Sequence, residues 1–134
     1  MSNEIQKVKL IGINKEGIKE DSNYPGHVFF PLKLSANLDP RWVLLFRHEY
    51  GIYFHNKKRF LLEPRNDELV FDIRDDDELQ ILYDIVKEVI ENTNKAVDRE
   101  NVRIAAEEKR QEVENREIRE KIYRLREKAD KVKL

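Results

Sequence analysis

The 134-residue chain contains no cysteine, which excludes thiol catalysis, cysteine-ligated zinc and a disulfide scaffold together. It has only four glycines and four prolines, and none of the eight lies beyond Pro64. No run approaches the ~18 apolar residues that a membrane-spanning helix needs, so no span is expected. The glycines never take the G-x-x-x-x-G-K or G-x-G-x-x-G spacing of a phosphate-binding loop. Ser2, Ser22 and Ser35 are the only serines, and none sits in a nucleophile elbow. The chain opens without a basic segment followed by an apolar one, and a cytoplasmic protein is the expectation.

What is present is charge: 26 basic and 27 acidic side chains make up 40% of the residues, for a formal net charge of −1. That near-neutrality hides a pattern. Residues 1–73 carry 11 basic and 10 acidic groups, residues 74–94 carry 2 and 7, and residues 95–134 carry 13 and 10. Ten of the aromatic residues lie before position 74 and only Tyr83 and Tyr123 after it. The front part reads as a packed domain and the back part as helix, which gives a compact α+β domain over 1–94 and a charged helical arm over 95–134.

In the front part, Glu4–Ile13 and His27–Leu34 read as strands, with Asn14–Asn23 an exposed loop. Pro31 argues that the second strand is an edge or bulged strand, since proline cannot donate to a ladder. Asp39-Pro40 reads as the cap and first residue of a short helix. Trp42, Val43, Leu45 and Phe46 form its inner stripe, Leu44 widens it, and Gly51 closes it. Ile52–Phe54 and Arg59–Leu62 then suggest a hairpin about His55–Lys58, followed by a turn at Pro64–Asp67. The last strand places Leu69, Phe71 and Ile73 on one face. The fold class expected is α+β: a small antiparallel sheet of four or five strands, one short helix and a long, partly coiled-coil-like C-terminal helix.

Asp75–Glu78 precede apolar positions at Leu79, Leu82, Tyr83, Ile85, Val86, Val89 and Ile90, a helical stripe that predicts packing on the sheet from about Asp76 to Thr93. Asn92–Asn94 is the one candidate break and holds neither glycine nor proline, so a continuous helix is preferred. Beyond it, Glu112/Arg116, Glu117/Lys121, Glu120/Arg124 and Glu127/Lys131 are acid-before-base pairs at i, i+4, each contributing ~0.2–0.5 kcal/mol. Ile118, Ile122, Leu125, Ala129 and Val132 keep the alternating 4,3 spacing of a coiled-coil seam and are the candidate partner-binding residues.

Other chemistry is sparse. His48-Glu49 lacks the second histidine of a metalloprotease helix, because Ile52 stands there. His27 and His55 read as surface or turn residues, and Asp72 and Asp75–Glu78 as helix-capping acids with no calcium-loop pattern. No catalytic residue, cofactor or metal is predicted. The expected function is a non-enzymatic module that self-associates or docks a protein partner through its C-terminal helix. The alternative is a nucleic-acid-binding adaptor using Arg41, Arg47, Lys57, Lys58 and Arg59, near Tyr53, Phe54 and Phe60. A front-half excess of only one positive charge weighs against it.

Overall fold

A computed structural model describes residues 3–53, 60–74 and 78–133. Five strands, β1 (Leu10–Ile13), β2 (Lys19–Glu20), β3 (Val28–Leu34), β4 (Leu61–Arg65) and β5 (Glu68–Ile73), form one antiparallel sheet in the order β1-β3-β5-β4, with β2 also on β3. Two helices complete the α+β fold, α1 (Pro40–Tyr53) and α2 (Glu78–Ala129). Contacts divide the chain into a unit of Ile5–Arg99 and a unit of Glu100–Leu134 with Met1–Glu4.

Within the first unit, Phe30, Leu32 and Leu34 of β3 alternate toward the same face as Leu69, Phe71 and Ile73 of β5, as the Phe30↔Phe71 and Leu32↔Leu69 pairings require. All six are buried. Onto this face α1 brings Trp42, Phe46 and Tyr50, four residues apart on one side of the helix, with ring centroids 5.3 and 5.8 Å apart, and Tyr50 meets Phe71 at 6.1 Å. Leu82, Val86, Val89, Ile90, Thr93, Ala96 and Val97 of α2 are buried too, so the packed stripe runs past Thr93.

Several expectations need correction. Pro31 lies in the central strand, not at an edge. In an antiparallel strand one residue's N–H and C=O share a side. The Pro31 carbonyl accepts from Asn14 N–H (3.1 Å), so its nitrogen faces the break where β1 has ended and β2 has not begun, and no ladder bond is missing. A single 3-10 turn, Lys15–Gly17, fills that break, capped by the Asn14 side chain, which accepts from Gly17 N–H (3.3 Å). The first strand is also shorter than Glu4–Ile13. Residues 5–9 lie outside it, though Ile5 and Val8 are buried, and its register shifts between Leu10 and Gly12.

Nor does Gly51 end α1, which continues to Tyr53 and takes in Ile52. A terminal glycine would need a positive φ, whereas the described glycine with one is Gly26 (φ 81°). The Tyr50 hydroxyl instead anchors the last turn, donating to Phe60 O (2.9 Å) and accepting from Phe60 N–H (3.1 Å). The hairpin is accordingly β4–β5, with Arg65 opposite Glu68, Asn66 at φ 48° in the tight turn, and Pro64 inside edge strand β4. The expected turn at His55–Lys58 falls outside the described residues. Leu44, 69% exposed, does not widen the stripe of α1.

The start of α1 is as expected: Asp39 accepts the N–H of Arg41 (2.9 Å) on its carboxylate and that of Val43 (3.0 Å) on its carbonyl. The long helix is unbroken at Asn92–Asn94. Thr93 returns its hydroxyl to Val89 O (2.7 Å), and Asn94 turns inward as a clasp. Its Oδ1 accepts from Trp42 Nε1 (3.1 Å) and Val8 N (3.3 Å), and its Nδ2 donates to Val8 O (2.7 Å). Asn94, part of the segment that resembles a helix break, is thus a connector between α2, α1 and Val8.

Candidate functional site

The second unit is built on the α2 residues from Glu100 onward, where every described side chain is half-buried or exposed. Ile118, Ile122 and Leu125 are 55%, 43% and 55% exposed, and Ala129 is exposed as the last helical residue. At 3.6 residues per turn the four share one stripe. Val132 belongs to the same spacing but lies past the helix end, where Lys131 N and Val132 N donate to Lys128 O (3.1 Å) and Ala129 O (3.2 Å). The helical part of the expected seam is therefore Ile118 to Ala129.

Upstream in this unit, Arg103 pairs with Glu100, and Arg110 bridges Glu107 and Glu114. The arginines hold the carboxyls of Glu100 and Glu107 below the ordinary glutamate range. Such exposed pairs add little to the helix, because solvent and salt screen them. Among the described residues these are the ion pairs of the segment, rather than the four expected at i, i+4.

Two of the five cationic residues of the alternative reading, Arg41 and Arg47, lie among the described residues. Arg41 is engaged by Asp39 (2.9 Å), which raises its pKa, while Arg47 lies exposed along a groove shared with Leu38, Val43 and Pro64. Lys57, Lys58 and Arg59, with Phe54, are outside the described residues.

One constellation escaped sequence reasoning. On the sheet face opposite the helices, Asp72 of β5 is buried and bonded to His27 Nδ1, and Asp21, also buried, shares a hydrogen bond with Asp72. Tyr24 leans on His27 with ring centroids 5.6 Å apart, and Arg65 lies 5.8 Å over Phe29. A cavity of about 300 Å³ opens beside these groups. Burial, with the Asp21 hydrogen bond, pushes the Asp72 carboxyl above the usual range against the pull of His27, while the bond from Asp72 holds Asp21 below it. His27 is thus not a free surface residue, nor is Asp72 a capping acid. Among the described residues no group of His, Asp and Glu is placed to hold a metal ion. With no buried side-chain nitrogen or oxygen there left without a partner, the cluster reads as a satisfied polar network that ties the Asp21–His27 loop to β5.

A second hollow, of about 690 Å³, is apolar, with Ile13, Ile18 and Phe30 facing Leu79 and Tyr83. Among the described residues no helix is long and apolar enough to cross a membrane. Comparisons with protein-family models, curated proteins and solved structures give no match for this chain.

Proposed function

We propose that the protein is a non-enzymatic interaction module that pairs with another helix through the C-terminal part of α2. The observation that carries this reading is the stripe of Ile118, Ile122 and Leu125, each about half exposed on one side of a helix whose unit buries none of its side chains. Burying such a side chain contributes ~1.5–3 kcal/mol, several times what an exposed ion pair offers. A matching stripe on a second helix provides that burial by knobs-into-holes packing. The cytoplasmic location expected from the sequence belongs to the same proposal. Nucleic-acid binding through Arg41 and Arg47 has less support, because Asp39 already neutralises Arg41.

The test uses the full chain. Light scattering at high salt, where charge repulsion is screened, is expected to give a mass that rises with concentration above the monomer. Ile122→Asp with Leu125→Asp is expected to restore the monomer with the helical circular dichroism kept. An unchanged mass in that double variant would reject the stripe as the contact.

A further inference from the structure

The residues that border the stripe specify its partner. With Ile118 and Leu125 as one set of seam positions and Ile122 and Ala129 as the other, the positions flanking the seam are Arg119, Lys121, Arg126 and Lys128. All four are basic and exposed. The acids of this stretch, Glu117, Glu120 and Glu127, fall on the outer side of the helix, away from the seam. Flanking charges in coiled coils choose the partner more than they set the affinity, because the apolar contribution is similar for any matching stripe.

A second copy of the chain is a poor match. Laid stripe on stripe in parallel, it sets Lys121 against Arg126 of the other copy, and laid antiparallel it again brings basic flanks together. Shifted along the helix, it offers acidic flanks at Glu100, Glu107, Glu112 and Glu114, but there Ile104 is the single apolar seam residue among Asn101, Glu108, Gln111 and Asn115. Glu100, Glu107 and Glu114 are moreover occupied by Arg103 and Arg110. One copy presents an apolar seam or acidic flanks to Ile118–Ala129, never both.

Resting on the helix-pairing reading above, we infer that the stripe Ile118–Ala129 docks a different protein, through an amphipathic helix whose Leu- or Ile-type seam is bordered on both sides by Asp or Glu. Each of the four basic flanks then gains a carboxylate in place of a like charge. With attraction gained and repulsion removed at each of the four flanks, the preference over a basic-flanked helix is on the order of tenfold or more at low salt.

The experiment titrates the full chain into fluorescent helical peptides at low salt, reading anisotropy. One peptide has a leucine seam with glutamate flanks, one the same seam with lysine flanks, and one glutamate flanks with an alanine seam. The first is expected to bind at least about tenfold tighter than either of the others. That preference should shrink at about 1 M salt, where the Debye length is ~3 Å. Reversing the flanks with Arg119→Glu, Lys121→Glu, Arg126→Glu and Lys128→Glu should move the preference to the lysine-flanked peptide, with helicity checked by circular dichroism. Equal binding of the glutamate- and lysine-flanked peptides overturns the acidic partner and leaves helix pairing standing. Equal binding of the alanine-seam peptide, or of a random single-stranded RNA, identifies a mere polyanion surface and overturns it as well. No peptide binding from a chain that stays monomeric at every salt concentration removes both readings.

Discussion

Single side chains decide how the first unit closes. Asn94 holds the backbone of Val8 and the indole of Trp42 from one position on α2, three hydrogen bonds for one amide. Asn94→Ala leaves the buried Trp42 N–H and the Val8 peptide groups unpartnered, and is expected to cost about 2–3 kcal/mol in a urea titration. A loss below half a kcal/mol would mean that water replaces the clasp. The carboxyl pair gives a pH-dependent prediction. Asp72, raised by burial and by Asp21, contributes stability that is complete at acid pH and lost as pH climbs through its raised value. Asp21, lowered by Asp72, acts the opposite way: its contribution is present above the ordinary aspartate value and lost as pH falls through the lowered one. Asp72→Asn cannot titrate. Urea midpoints measured from about pH 4 toward neutrality should therefore shift in favour of the variant relative to the parent chain as pH rises above the ordinary aspartate range, ~3.9. A difference that stays flat with pH would contradict the shared carboxyl site.

At the scale of elements, the break between β1 and β2 depends on Gly17. A Cβ there would stand 2.7 Å from Pro31 Cγ and 3.0 Å from Nδ2 of Asn14, the amide that donates to Glu68 through this nitrogen and caps the turn through its oxygen. Gly17→Ala is expected to destabilise by about 1–3 kcal/mol, readable as a lower melting temperature, because neither ring nor cap can yield without losing its contacts. Local physics made the helices legible in the sequence: Asp39-Pro40 carries its own cap, and the apolar stripe of α2 repeats every three or four residues. That Ile118, Ile122, Leu125 and Ala129 share one stripe of the helix was legible for the same reason. What stayed hidden depends on distant partners. Whether a proline suits a strand is decided by which neighbour faces its nitrogen, and Pro31 is answered by Asn14 and Gly17. His27 and Asp72 are 45 positions apart, and no spacing rule joins them. Asn94 resembled a breaker because its partners, Val8 and Trp42, lie 86 and 52 residues away.

Across the molecule, burial is concentrated in one unit. Leu82 to Val97 of α2 are held by packing, whereas from Glu100 onward the helix relies on propensity and exposed ion pairs. Native-state hydrogen exchange is accordingly expected to show strong protection for amides between Leu82 and Val97, approaching that of global unfolding, and much weaker protection beyond Glu100. Uniform protection along α2 would show that the arm is covered in solution. Binding of the acidic-flanked helix should raise protection over Ile118–Ala129 first.

The two prolines inside strands have one more effect. β4, on one border of the sheet, carries Pro64, and the opposite border is cut into β1 and β2 where Pro31 meets the 3-10 turn. Neither side offers an uninterrupted row of amides on which a stranger's backbone could template. Crowded solutions of this protein should therefore resist fibril growth, leaving side-chain chemistry on the helix to govern what it sticks to.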